Sequence, residues 1–207
     1  MKELITKIYV KFISILGNIQ IYKYPLFFIY NPHHYLVNGN DYAEFTNNLV
    51  AGDIVLRVYK HNIIRNIIPG FYSHAGLYTG KNTIIHSVGE GVIETNLYDF
   101  SQCDGLAIVR PKVTKKDIKN AIQYAKNQLG KQYDYFFEFD NESTYSCTEL
   151  VYWAYKDTIS TEPQKISKLF GLIHKEIISP DAFLHDSKCE LIWESKSINR
   201  DNRKLYE

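Results

Sequence analysis

The chain has 207 residues, of which 45% are hydrophobic, 14% aromatic and 23% charged, the balance of an ordinary globular protein. This length predicts a single domain with one sizeable core. With 24 basic and 23 acidic residues the formal net charge is +1, so nothing indicates a nucleic acid or an acidic polymer as a partner.

The first 24 residues are predicted to form an N-terminal amphipathic helix ahead of a main domain over residues 25–207. Lys7 and Lys11 interrupt its apolar run, which excludes a transmembrane helix. Three interpretations stay open: a helix packed on the domain, a helix lying on a membrane surface through residues 1–21, or an export signal. The apolar residues at helical spacing are Leu4, Ile5, Ile8, Phe12, Ile15, Leu16 and Ile19.

The middle of the chain predicts β-structure. A loop and a short helix from about Asp41 lead to a turn at residues 51–53. A turn at residues 80–82 makes a hairpin of the second and third of the strands that follow. The predicted strands, rich in β-branched residues, are DIVLRVY, HAGLYTG, NTIIHSV, GVIETNL and GLAIVRP.

Helical periodicity begins at Thr114, which is predicted to cap a helix with Asp117 as its capping-box partner. Gly130 is predicted to end this helix. The face that we expect to be buried consists of Ile118, Ile122, Ala125 and Leu129.

An aromatic and acidic loop over residues 131–145 separates this helix from a second one over residues 146–155. Ser179 and Pro180 predict the start of a short third helix. The segment CELIWES predicts a last strand. Because strands come first and helices mostly afterwards, the order of elements predicts an α+β domain.

The three cysteines, Cys103, Cys147 and Cys189, are far apart in the sequence. None has the spacing of a zinc site or of a disulfide framework, so we predict neither a metal nor another cofactor. Scattered thiols are typical of a reducing compartment, and we predict a cytoplasmic protein, with membrane association through residues 1–21 as the open alternative.

Cys147 lies where a helix is predicted to begin, in TYSCTELVYWAY. The free N–H groups at a helix start stabilise a thiolate, so this position predicts a nucleophile of lowered pKa. Cys103 and Cys189 lie in or beside strands and are expected to be ordinary buried residues.

His74 begins one predicted strand, and His86 lies near the end of the next. The short turn between the strands makes them antiparallel neighbours, and cross-strand neighbours lie ~5 Å apart. The second imidazole can therefore hydrogen-bond the first and orient it, which is the relation of a catalytic base to its orienting group.

Four segments of the chain, GDIVLRVY, SHAGLYTGKNTIIHS, LGKQYDY and SCTELVYWAY, resemble the blocks of NlpC-type papain-like hydrolases. Because the cysteine block comes last, the resemblance is to the circularly permuted members, the YiiX-like (YebB-like) papain amidases. It implies a permuted papain-like (NlpC-type) α+β fold, with a central antiparallel, barrel-like sheet against which the nucleophile helix packs. Lecithin–retinol acyltransferase-like proteins are more distant relatives.

The resemblance also implies roles in the site. Cys147 is the nucleophile, His74 the base and His86 its orienter, with Cys147 sulfur and a His74 ring nitrogen within ~4 Å. Tyr133 matches a tyrosine that points its hydroxyl at the oxyanion. Some permuted relatives use a carboxylate as orienter, which makes Glu94, or else Glu90, the alternative to His86.

The expected activity is hydrolysis of an amide or ester bond through an acyl-thioester on Cys147. An N-acyl or lipid-like molecule competes with a small peptide as the substrate, and acyl transfer to an acceptor other than water stays open. The alternatives are a non-catalytic ligand-binding module and a membrane-surface interaction module on the same fold. The sequence does not indicate an oligomeric state.

Overall fold

The computed structural model describes residues 7–9, 11, 12, 15, 19–23, 26–30, 35–60, 69–136, 139, 143–168 and 173–198. Its strands are β1 (Ile19–Lys23), β2 (Leu26–Tyr30), β3 (Ile54–Val58), β4 (His74–Gly80), β5 (Thr83–Val88), β6 (Gly91–Asn96), β7 (Gly105–Pro111), β8 (Gln132–Tyr133), β9 (Thr144–Tyr145), β10 (Gln164–Lys168), β11 (Ile173–Ile177) and β12 (Cys189–Glu194). Its helices are α1 (Gly39–Asn48), α2 (Leu97–Phe100), α3 (Lys115–Asn127), α4 (Cys147–Tyr155) and α5 (Ala182–His185).

Six of these strands form one antiparallel sheet in the order β12-β7-β3-β4-β5-β6. The five strands predicted in the middle of the chain and the last strand are all in it, which confirms the α+β class and the antiparallel sheet. The β4–β5 hairpin turns through Lys81 and Asn82, both at positive φ, as a tight two-residue turn requires.

Both faces of the sheet are covered. One face, which includes Leu56, Ala75 and Leu77, packs against α3 and α4 in the larger core cluster. The opposite face packs against Phe45 of α1 and Phe100 of α2 in a second cluster. Burial on both sides explains why the central strands are apolar along their length rather than alternating.

Helix α4 begins where the sequence predicts. The Ser146 side chain accepts from the Glu149 N–H, and the Glu149 carboxylate accepts from the Ser146 N–H, a complete capping box. Leu150 and Val151 are fully buried against the sheet. The Tyr155 hydroxyl donates to the carbonyl of Gly52 at 2.5 Å, which fixes the far end of the helix to the turn before β3.

Helix α3 confirms the cap at Thr114 and the capping box with Asp117. Ala121 and Ala125 are its buried residues, whereas Leu129 is 40% exposed. The prediction that Leu129 lies on the buried face is wrong, because the helix ends at Asn127 and Leu129 lies in the turn beyond it.

Helix α5 begins at Ala182, three residues after the predicted cap Ser179. Asp181 occupies the cap position but forms no side-chain cap bond. Its carboxylate accepts instead from the backbone N–H groups of Phe71 and Tyr72, the latter at 2.9 Å. The segment that leads into β4 is thereby held in place from a distant part of the sequence.

The prediction of one helix over residues 1–24 is wrong at its C-terminal end. The described residues 7–9, 11, 12 and 15 are helical, but 19–23 form β1, which pairs with β2. The other residues of 1–24 lie outside the described part of the chain, as do residues 199–207 of the predicted main domain. Among the described helices, none is long and apolar enough to cross a membrane.

Candidate active site

Cys147 is the first residue of α4, and 5% of its surface is exposed. Its sulfur interacts with the backbone N–H groups of Ala75 and Thr148, both of which favour the thiolate. Ala75 directly follows His74 on β4. The start of the helix is therefore joined to the strand that carries the predicted base.

The pKa of the Cys147 thiol contradicts the sequence prediction. Burial raises the pKa to about 11, and the nearby Glu149 carboxylate adds to the rise. The N–H donors of Ala75 and Thr148 oppose this shift but do not outweigh the loss of water. The resting Cys147 side chain is consequently a protonated thiol.

The two histidines form the expected pair. Nε2 of His74 lies 2.8 Å from Nδ1 of His86, and the ring planes are nearly perpendicular at 82°. Nε2 of His86 lies 2.7 Å from the Thr95 hydroxyl on β6. Nδ1 of His74 takes no part in this chain of hydrogen bonds, so it is the nitrogen available to a thiol.

Glu94, the alternative orienter, lies elsewhere. It is exposed and pairs with Ile85 across β5 and β6, whereas His86 pairs with Ile93. Because successive side chains of a strand point to opposite faces, Glu94 projects away from the face that carries Thr95 and His86. Thr95 was missed in the sequence, although its diagonal position from His86 across a hairpin was a usable signal.

Phe100 packs against both imidazoles, with ring centroids 6.0 Å from His74 and 5.3 Å from His86. Burial lowers the pKa of both histidines, that of His86 to about 3, and the positive charge of Arg57 lowers them further. Both imidazoles are therefore neutral at physiological pH, the state in which His74 can accept a proton.

Gly76 leaves room for this histidine pair. A Cβ at this position would lie 2.8 Å from Cγ2 of Ile84, 3.1 Å from Cβ of His86 and 3.3 Å from Cε2 of Phe100. The absence of a side chain at Gly76 thus lets the His86 side chain and the Phe100 ring pack directly over β4.

We expect Gly76→Ala to lower the free energy of unfolding by ~1–3 kcal/mol, because the added methyl forces Ile84, His86 or Phe100 to move. Turnover should fall with it. Gly39→Ala is the matched control, since a Cβ at Gly39 meets nothing within 4 Å. Denaturant unfolding of both variants measures the free energies of unfolding. Equal denaturation midpoints for Gly76→Ala and Gly39→Ala would contradict the tight fit at Gly76.

Tyr133, on β8, lies near the thiol, because Cys147 and Glu149 both influence its hydroxyl. Burial first, and these two groups next, raise the Tyr133 pKa well above its usual value. The phenol therefore stays a hydrogen-bond donor at any physiological pH. Its ring lies 4.8 Å from that of Tyr135.

Glu149 is a buried carboxyl group that the sequence analysis did not single out. It is 4% exposed, and burial raises its pKa to about 7. Its Oε2 accepts from the Ser146 N–H at 2.7 Å, directly beside Cys147 at the helix start. The signal in the sequence was the capping-box spacing S-x-x-E.

The cysteine at the start of a buried helix follows, in the chain, the two histidines on adjacent strands. This is the permuted order of the papain-like class of cysteine hydrolases. The chain belongs to the permuted papain-like amidase family, YaeF/YiiX, C92, which residues 48–197 match.

The fold is similar to the crystal structure of the metalloprotein YiiX from Escherichia coli O157:H7. The TM-score is 0.62 at 18% sequence identity, over 72% of this chain and 98% of that one. A search of the curated proteins found no match. In the described part of this chain, no three His, Cys, Asp or Glu side chains cluster so that they could hold a metal ion.

Proposed function

We propose that this protein hydrolyses an amide or ester bond through an acyl-thioester on Cys147. The observation that carries the proposal is the 2.8 Å contact between His74 and His86, with the Cys147 sulfur on the N–H of the residue next to His74. Membership of the amidase family supports it.

The proton arrangement of the histidine pair follows from this role. With the proton of His74 on Nε2 and donated to Nδ1 of His86, Nδ1 of His74 is left bare as an acceptor. His86 then carries its own proton on Nε2 and donates it to Thr95. The opposite arrangement would place a proton on Nδ1 of His74 and leave no base for the thiol.

In the first half of the reaction, the Cys147 sulfur attacks the carbonyl carbon while Nδ1 of His74 takes the thiol proton. Because the resting thiol and imidazole are both neutral, this proton transfer accompanies the attack. The oxyanion accepts from the Tyr133 hydroxyl and the backbone N–H of Cys147. Collapse breaks the bond to the amine or alcohol, which leaves with the proton from His74.

In the second half, His74 takes a proton from water as the water oxygen attacks the thioester carbonyl. The tetrahedral intermediate releases the carboxylic acid, and the proton returns to the Cys147 sulfur. An acceptor other than water at this step would make the same site an acyltransferase.

The proposed substrates are N-acyl or lipid-like molecules, with small peptides as the competing class. Aromatic side chains support an apolar ligand near the site: Tyr133 contacts Tyr135, and Tyr9 stacks on Phe136 at 5.9 Å. A library of N-acyl amides, esters and short peptides, analysed by mass spectrometry with Cys147→Ser as the blank, tests the activity. Equal hydrolysis by the variant and the wild type would refute it.

The second candidate function is membrane-surface contact through residues 1–21. Ile8, Phe12 and Ile15 are helical, follow the i, i+4, i+7 spacing, and are 61%, 56% and 48% exposed. Flotation with anionic liposomes tests this contact. We expect the wild type to float and a triple serine variant at these positions to stay at the bottom, and equal flotation of the two would count against it.

A further inference from the structure

Arg57 lies beside the histidine pair on the same face of the sheet. It is the register partner of His74 across β3 and β4, and its carbonyl accepts from the Ser73 N–H at 3.1 Å. Its guanidinium carbon is 4.7 Å from the centre of the Phe100 ring and 5.3 Å from that of Tyr59. Both distances are typical of cation–π contacts.

Within the described chain, no carboxylate forms an ion pair with Arg57, and its Nε is buried without a hydrogen-bond partner. Nη1 makes one long contact, 3.4 Å from the carbonyl of Phe100. Arg110, on the same sheet, is paired with Asp53 at 2.7 Å and shows the usual arrangement. A half-buried guanidinium with no counter-ion is costly, so its position beside the base calls for a physical reason.

Phe100 links Arg57 to the base. The guanidinium lies over the same ring that contacts His74 at 6.0 Å and His86 at 5.3 Å. The arginine stack and the bond to the Phe100 carbonyl both restrain this ring. A loosened Phe100 would free the imidazoles to separate.

We propose that Arg57 is a positioning residue: its guanidinium, stacked on Phe100 beside the histidine pair, holds the two imidazoles in contact and adds to burial in keeping both rings neutral. That the site needs a neutral base follows from the proposed hydrolysis. The charge state of the two histidines does not depend on that proposal.

Among the described residues, the charges that act on the pair are that of Arg57, on both rings, and that of His86, on His74. His74 and His86 contact each other from β4 and β5, Arg57 acts on both from β3, and the Cys147 sulfur lies at the backbone N–H of Ala75, the residue after His74. Tyr133 and Glu149 interact with the Cys147 thiol, and neither is among the groups that act on the imidazoles. Arg57 is therefore the positive charge nearest to both rings among these groups.

The same charge has opposite effects on the two reacting groups. It disfavours an imidazolium, and it favours a thiolate on Cys147, whose pKa it lowers against the larger effect of burial. Negative charge that develops on sulfur or on the carbonyl oxygen would gain from the same guanidinium.

Histidine C2–H titrations by NMR on the full chain without substrate test the proposal, with His74→Asn and His86→Asn used to assign the signals. In the wild type, both rings should stay unprotonated at pH 5.5. Arg57→Met keeps an apolar stem over Phe100 but removes the charge, and both midpoints should rise by at least about half a pH unit, a threefold change in proton affinity. Arg57→Lys keeps the charge and should keep the low midpoints.

Lys119→Met is the matched control, because it removes one positive charge from an exposed site on α3. It should leave both midpoints unchanged. Unchanged midpoints in Arg57→Met, an equal rise in Arg57→Lys, or wild-type midpoints near 6.5 would each overturn the proposal. Low wild-type midpoints follow from burial alone, so the contrast between Arg57→Met and Arg57→Lys decides the role of the arginine. With a hydrolysed substrate, the acid limb of kcat/KM should move upward in Arg57→Met alone.

Discussion

We expect His86→Ala to lower turnover at least ~10²-fold, because the nucleophile and base stay in place while His74 loses the partner that fixes its ring and tautomer. In the serine-protease template, loss of the orienting group costs up to ~10⁴. In this chain the lost contact is the 2.8 Å hydrogen bond between Nε2 of His74 and Nδ1 of His86. Alkylation of Cys147 at high pH should be nearly unchanged, since the thiolate no longer needs a base there.

Glu94→Gln is the matched control for this variant. Glu94 is exposed and lies on the other face of β6 from Thr95, so its neutralisation should leave turnover close to that of the wild type. Steady-state rates on one hydrolysed acyl substrate decide the matter. An active His86→Ala together with an inactive Glu94→Gln would replace His86 by Glu94 as the orienter.

We expect Glu149→Gln to change the pH dependence of stability between about pH 4.5 and 8. Because the pKa of Glu149 is about 7 in the folded protein, against an ordinary value of 4.5 for the unfolded chain, the folded state binds the proton more tightly. Its contribution to stability is complete below pH 4.5 and is lost as the pH rises through 7. The difference between variant and wild type should therefore grow by about 3 kcal/mol from about pH 4.5 to 8, in favour of the variant.

Glutamine keeps an oxygen that can accept from the Ser146 N–H, so the helix cap survives the change. His74 and His86 titrate in both the wild type and Glu149→Gln. Their contributions therefore cancel in the difference between the two free energies of unfolding. Urea unfolding at several pH values gives the free energies of unfolding, with the exposed Glu162→Gln as control. A difference that stays constant with pH would show that Glu149 is ionised at its ordinary pKa in the folded state.

The sequence was sufficient for the elements whose signals are local. Ser146 and Thr114 cap the helices that follow them, and the turn at residues 80–82 brings His74 and His86 to neighbouring strands. The hairpin of β10 and β11 and that of β1 and β2 were missed, because their segments are short and lack a clear alternation of apolar and polar residues.

The features that could not be predicted from the sequence depend on contacts between residues far apart in the chain. The start of α5 differs from the prediction because Asp181 binds the backbone before β4, more than a hundred residues earlier in the chain. The predicted direction of the Cys147 pKa shift was wrong. The start of a helix lowers the pKa of a thiol, but burial, which depends on the tertiary structure, raises it more. Thr95 rather than Glu94 touches His86 because the register of β5 and β6 decides which face each residue takes.

The central claim is that Cys147 carries the acyl group during turnover. Rapid acid quench of the enzyme with a slowly hydrolysed ester or N-acyl substrate, followed by peptide mass spectrometry, tests this most directly. We predict an acyl adduct on the peptide that contains Cys147, removed by hydroxylamine and absent in Cys147→Ala. An adduct on Cys103 or Cys189, or hydrolysis that persists in Cys147→Ala without any adduct, would contradict the claim.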